Sequence, residues 1–292
     1  MANKVYEIVT QRIIQKIEEA IASGDVLPWQ KPWIYANAPQ NYVTGKRYRG
    51  VNSLLLDEGE HVTWNQLCDL QKQNRNLKLK KGCKKDIVVY FNFSECEKET
   101  IDENGTAITE KLKVPFLRYY NVFHIKYVEG LESKVQEVTY THNPIEQAQQ
   151  IFDDYVKREN IKVIYEKGDK ACYSPLTDSI TLPLMEQYSL LEEFYATSFH
   201  EIGHSSGASH RLNRNIKNKF GNTSYSKEEL CAEMVSAMLM GYCGIETSKS
   251  ESNTIAYMQS WLKALQNDIT MIVSASSQAQ KAADFIINSE SK

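Results

Sequence analysis

The sequence predicts an α+β chain of two domains, residues 1–135 and 136–292, and three observations carry that reading. Apolar residues recur at helical spacing in some stretches and crowd into short β-branched and aromatic runs in others, which marks a mixture of helices and strands. The composition turns polar over residues 130–143, where a connection fits. Charge is divided as well: residues 1–92 carry 14 Lys and Arg against 9 Asp and Glu, residues 114–292 carry 17 against 22, and the stretch between carries 3 against 6. A basic front and an acidic back suggest two tasks.

Residues 4–22 place Val5, Ile8, Val9, Ile13, Ile17, Ala20 and Ile21 on one helical face, and Gly24 ends the helix. A proline-broken aromatic segment follows, Pro28-Trp29-Gln30-Lys31-Pro32-Trp33, and then a turn-rich stretch over 44–52. Residues 64–73 predict a short helix, and 78–85 are a lysine cluster around Gly82. Asp86 to Phe93 and Pro115 to Val128 read as two strands, a hairpin with a long polar excursion holding Asn104-Gly105. Beyond the polar stretch, Asn143-Pro144 is a cap followed by proline in the first turn, so a helix to about 159 is expected. A strand over 161–165 and two short strands around Thr177-Asp178 come next. Helices are expected over 188–206 and 226–243, and one long helix or two over 252–287.

With 42% hydrophobic and 24% charged residues, the chain can bury a sizeable core. It holds no apolar run long enough to span a membrane, and its first residues lack the apolar stretch of a secretory signal. The six cysteines form no Cys-x-x-Cys pair, which fits reduced thiols and a cytoplasmic location.

The motif that carries chemistry is His200-Glu201-Ile202-Gly203-His204. On a helix, residues four apart share a face, so both imidazoles reach one tetrahedral ion. The glutamate after the first histidine then lies beside the open coordination position, where it serves as general base, the zincin arrangement. Zn2+ is the expected metal, with another divalent ion as an option. A surface helix could carry these five residues by chance. The run Phe194 to Phe199 just before them argues for burial instead, and buried histidines and glutamate need partners.

Two residues compete for the third ligand position. His210 completes His-Glu-x-x-His-x-x-Gly-x-x-His with Gly207, the metzincin spacing. Glu229 lies on the next predicted helix, with Glu233 one turn on, and resembles the gluzincin arrangement, in which the second carboxylate orients a histidine. Each also has a plain reading: His210 as a loop residue beside Arg211, and Glu229 as part of a capping box begun by Ser226.

Over nearly its whole length the chain resembles the ArdC-like antirestriction proteins of conjugative plasmids and related mobile elements. In the front half the resemblance rests on Trp29-Gln-Lys-Pro-Trp33, Thr44-Gly-Lys-Arg-Tyr-Arg-Gly-Val-Asn52, Lys80-Lys-Gly82 and Tyr120-Asn-Val-Phe123. In the back half it rests on Tyr173-Ser-Pro with Asp178, the metal motif, Arg211-Leu-Asn-Arg214, Glu228-Glu-Leu-Cys-Ala-Glu233 and Trp261-Leu262. The resemblance implies an N-terminal domain that binds single-stranded DNA, a C-terminal zincin-like metallopeptidase domain with its metal site on central helices, and protection of incoming DNA from host restriction. It also favours Glu229 over His210. The chain departs from the family where the metal helix often continues His-Trp-Thr-Gly-His; here it reads His204-Ser-Ser-Gly-Ala208, a change expected at the rim of the cleft.

Single strands are held by cationic grooves with aromatic stacking platforms. Trp29, Trp33, Lys46, Arg47, Tyr48, Arg49 and Lys81 are the candidates here, Arg47 and Arg49 first because a guanidinium both binds phosphate and stacks. The competing expectation is that the tryptophans pack a small core. Functionally, an antirestriction protein that binds single-stranded DNA and carries a zinc peptidase-like domain competes with a zinc metalloprotease whose front half recognises a protein substrate. It competes too with a binding protein that keeps its metal for folding alone.

Overall fold

The computed structural model describes residues 2–25, 27–29, 38–101, 107–135, 143–216, 223–245 and 255–288. The apolar stripe of the first helix, α1 (Ala2–Ser23), buries Val5, Val9, Ile13, Ile17 and Ala20. It stops where Gly24 takes a φ of 68°, a conformation that costs glycine little.

A four-stranded sheet follows, built from β1 (Gln40–Asn41), β2 (Glu60–Thr63), β4 (Asp86–Ile101) and β5 (Ala107–His124) in the order β1-β2-β5-β4. Short α2 (Val51–Leu55) starts at the end of the turn-rich stretch 44–52 and runs beyond it. α3 (Trp64–Gln73) has the expected bounds because Thr63 and Gln66 close a capping box. Two-residue strands β3 (Lys78–Leu79) and β6 (Val128–Glu129) pair beside it.

The β4–β5 hairpin is longer than the apolar pattern indicates. Its backbone register runs unbroken from Asp86 opposite Val122 to Ile101 opposite Ala107. β5 ends at His124, earlier than expected, because the His124 ring accepts a 3.0 Å bond from the Lys126 amide and starts a 3₁₀ turn. The Asn104-Gly105 excursion lies outside the described residues.

The back half opens with α4 (Pro144–Arg158), whose first turn is capped by Asn143 accepting from the Ile145 amide at 3.1 Å. Strands β7 (Lys162–Glu166), β8 (Cys172–Ser174) and β9 (Ser179–Pro183) make a sheet in the order β7-β9-β8, with β8 antiparallel at the edge. Four helices complete the fold: α5 (Leu191–Ser205), α6 (Thr223–Cys243), α7 (Ile255–Asn267) and α8 (Met271–Ile286). The stretch expected as one helix or two is two, because Asp268 accepts from both the amide and the hydroxyl of Thr270, at 2.9 and 2.7 Å, and breaks the chain there. Among the described residues no helix is long and apolar enough to cross a membrane.

The largest buried cluster does not divide at residue 135. Val9, Ile13, Trp29, Leu54 and Ile87 from the front pack in one core with Phe152, Phe199, Met234, Trp261 and Ile272 from the back. A smaller cluster around Val62, Leu67 and Val128 belongs to the front sheet alone.

Candidate metal centre

α5 carries the motif into the interior. Phe194, Tyr195, Phe199 and Ile202 are buried, and Glu201 with them. Gly203 lets α6 approach: a Cβ built there would lie 3.3 Å from the Ala232 backbone and 3.3 Å from the Val235 side chain. That close crossing brings Glu229, on the second turn of α6, to the two histidines. The helix starts at Thr223, ahead of Ser226, so the capping-box reading of Glu229 falls away.

The three donor groups converge. His204 Nε2 stands 3.0 Å from His200 Nε2. Glu229 places Oε2 3.5 Å from His200 Nε2 and Oε1 3.5 Å from His204 Nε2. Two nitrogens bound at about 2.1 Å and held at the tetrahedral angle sit about 3.4 Å apart, so this set fits a small divalent ion. His210 is not brought in. It is exposed and faces Asp178, with Nε2 3.4 Å from Oδ2.

Charge in the site favours a cation. Burial alone would lower the pKa of His200, but its bond to Glu229 and the charges of Glu201, Glu229 and Glu233 outweigh it and hold the ring above the ordinary histidine value. Glu233 is pushed up to about 7, chiefly by burial, with the charge of His200 and a bond from Trp29 pulling the other way.

The carboxylate that meets the outer nitrogen of a ligand candidate, Nδ1 of His204, is Glu228, which sequence reasoning passed over in favour of Glu233. Glu228 Oε1 lies 3.3 Å from His204 Nδ1. An Nδ1–H donated to it leaves Nε2 facing the site. Glu228 is in turn gripped by Arg214, through Nε at 3.0 Å and Nη2 at 2.7 Å. These bonds from His204 and Arg214 keep the Glu228 carboxyl below its usual range although burial acts to raise it. Arg214 Nη2 also donates to the Gly203 carbonyl at 2.6 Å. The guanidinium passes so close to Gly207 that an added Cβ would meet Nη2 at 2.9 Å and Ile216 at 2.7 Å. Gly207 is therefore needed for the approach of Arg214 rather than for the return of His210. The adjacent acidic pair Glu228-Glu229 offered no periodic signal; only the contacts reveal the division of labour.

Tyr188 was also missed. It precedes α5, and burial first, with the charge of Glu201 among the lesser causes, holds its phenol above the usual value. The departure at Ser205, Ser206 and Ala208 does not reshape a rim, because all three are buried. Ser205 Oγ meets Tyr155 OH at 3.0 Å and Ser206 Oγ donates to the Gly203 carbonyl at 2.6 Å.

The expected DNA contacts scatter. Trp29 is a correction: it is 1% exposed, packs edge-on against Trp261 and donates to Glu233, so it offers no face to a base. Trp33 lies outside the described residues. Lys46 and Lys81 are exposed on turns, and Arg47 is half-buried where it bridges Gln40. Tyr48 is half-buried, its ring against His61 and its hydroxyl bonded by Asn41. Arg49 is exposed and forms an ion pair with Asp284 of α8.

Comparison with known proteins divides the chain in the same order. Residues 3–123 match the N-terminal domain of anti-restriction factor ArdC, and residues 148–278 match a zincin-like metallopeptidase. The chain is 32% identical, over 98% of its length, to a DNA primase TraC of Escherichia coli, of which it spans only 20%. A second TraC of that organism is also 32% identical and spanned to 27%. An uncharacterised protein of Sinorhizobium fredii is 30% identical across 97% of this chain and 91% of its own. Two crystal structures of the antirestriction protein ArdC from plasmid R388 share the fold at 29% identity. The metal-free form has a TM-score of 0.68 and covers 96% of both chains. The Mn(II)-bound form has a TM-score of 0.69 and covers 97% of both.

Proposed function

We propose, on the premise that the chain belongs to the family of ArdC antirestriction proteins with a zincin-like metallopeptidase domain, that it binds single-stranded DNA and protects the incoming DNA of a conjugative element from host restriction in the cytoplasm. The metal-site domain acts as a peptidase on a protein substrate. The observation that carries this reading is the convergence of His200, His204 and Glu229 beside the buried Glu201.

A divalent ion held by those three residues would polarise a scissile carbonyl and acidify a bound water. Zn2+ is the first choice for two imidazoles and a carboxylate; the Mn(II)-bound relative makes Mn2+ the second. Glu201 takes the proton from the attacking water and returns it to the leaving amine. Glu228 and Arg214 hold His204 in one tautomer and one orientation. Tyr188, near enough to Glu201 to feel its charge and hydrogen-bonded to Thr197, is the candidate donor to the developing oxyanion.

Glu201→Gln tests the reading. The variant should bind metal as tightly as the parent and keep its melting temperature, yet lose peptide hydrolysis. If protection from restriction is lost with it, hydrolysis is part of the function. If protection survives, DNA binding alone supplies it. The burial of Trp29 lends support to the second reading, a protease whose front half recognises a protein. An absence of affinity between the full-length protein and a poly(dT) oligonucleotide at low salt would decide for that reading.

A further inference from the structure

A cleft of about 860 Å³ opens between the two halves of the chain. Its front wall is the β4–β5 face with Val89, Phe91 and Leu117, and the Arg49–Asn52 segment closes one side. Its back wall is α8, which contributes Ser274, Ser277 and Lys281. The volume falls within the range of ligand sites, and junctions between domains are where such sites gather. None of these residues belongs to the metal centre.

The chemistry of the walls is mixed in a particular way. Phe91 is 53% exposed where it lines the cleft. By register, Val89, Tyr119, Phe91 and Leu117 share one face of the hairpin, and Tyr119 is exposed too. Lys281 and Ser277 are exposed on the opposite wall. Among the described lining residues the one acidic side chain, Asp284, is already engaged by Arg49, and a guanidinium carries further N–H donors beyond those that pair uses. Cations and hydroxyls opposite an exposed ring suit a ligand with phosphates along one edge and flat apolar rings along the other.

We infer that this cleft holds a short stretch of single-stranded DNA, a base stacked on Phe91 and its flanking phosphates held by Arg49 and Lys281. The inference rests on the single-strand-binding reading above and moves the contact surface away from most of the residues the sequence suggested. Of those that fall among the described residues, only Arg49 lines the cleft. Because both halves would grip the strand, bound DNA tightens the whole chain rather than its front alone.

Fluorescence anisotropy with a labelled poly(dT) oligonucleotide tests this on the full-length protein. Lys281→Glu and Phe91→Ala should each weaken binding by about 10-fold. Lys281→Glu should also lower the slope of log affinity against log salt by about one. Ser277→Trp, an exposed position where added bulk leaves the core alone, should block the cleft with the melting temperature unchanged. The oligonucleotide should raise the melting temperature of the parent and not of Ser277→Trp. If the parent binds no poly(dT), the single-strand reading itself fails. If the parent binds and the three variants bind equally well, that reading stands and the cleft is not the site.

Discussion

The indole Nε1 of Trp29 donates a 3.1 Å hydrogen bond to Oε2 of Glu233, one turn beyond Glu229 on α6. A residue of the front half thereby holds a buried carboxylate beside the metal centre. Trp29→Phe keeps an aromatic side chain but removes the donor and part of the buried indole's volume, which leaves that carboxylate one partner short. The expected cost is about 1–3 kcal/mol. Because one core spans both halves, the loss should appear as a single melting transition shifted downward as a whole. Calorimetry checks this: two transitions, with only the first moved, would show halves that fold apart. For the same reason a fragment ending at residue 135 should not fold on its own, since α1 would lose its packing against α7 and α8.

Metal affinity separates the two candidates for the third ligand. Glu229→Gln should lower the affinity for Zn2+ and Mn2+ by more than about 100-fold, beyond the effect usual for an outer partner. His210→Ala should leave affinity unchanged, because His210 faces Asp178 instead. Isothermal titration of the metal-stripped protein gives both numbers. The reverse result would restore the metzincin geometry.

Glu228→Gln should weaken metal binding by about 10–100-fold without touching a ligand. The amide still reaches His204, but it no longer commits Nδ1 to donating, and it leaves the Arg214 charge buried without its counterpart. Arg214→Lys should fail to rescue, because an ammonium cannot reproduce the two-pronged grip or the bond to the Gly203 carbonyl. If either variant binds metal like the parent, the chain from Arg214 through Glu228 to His204 is structural only.

The helices and the ligand pair were legible in the sequence because both rest on spacing. Thr63 with Gln66, and Asn143 with Pro144, mark helix starts by local chemistry, and His200 and His204 share a face by the period of the helix alone. What spacing does not encode is which distant group arrives. Glu228 and Glu229 are adjacent and chemically alike, yet the crossing of α6 over Gly203 sets Glu229 facing the Nε2 atoms of both His200 and His204 and Glu228 against Nδ1 of His204. Trp29 sits in a basic, aromatic segment whose composition suits DNA, but composition carries no information on burial, and the shared core claimed the ring. The cleft is invisible for the same reason, since Phe91 and Lys281 are 190 residues apart in the chain.

Acid should destabilise the front sheet through His61, which is wholly buried where β2 meets β5. Burial first, and then the neighbouring His124, push its pKa down to about 4, with Lys126 adding to the effect and the Gly59 backbone and Asp57 opposing it. The ring of Tyr48 closes the remaining side. The unfolded chain takes up a proton near 6.5, while the folded chain resists until about 4, so the unfolded state binds more protons in between. Stability is therefore full above about 6.5 and lost as the pH falls toward 4, by about 3 kcal/mol for this residue. His124, lowered mainly by burial, adds to the loss in the same direction. Urea unfolding of metal-stripped protein from pH 7 to 4 keeps the metal ligands from contributing through ion release. His61→Gln, which cannot titrate, should have a shallower pH dependence than the parent, the two curves converging toward pH 4. Parallel curves would mean that some other group sets the acid limit.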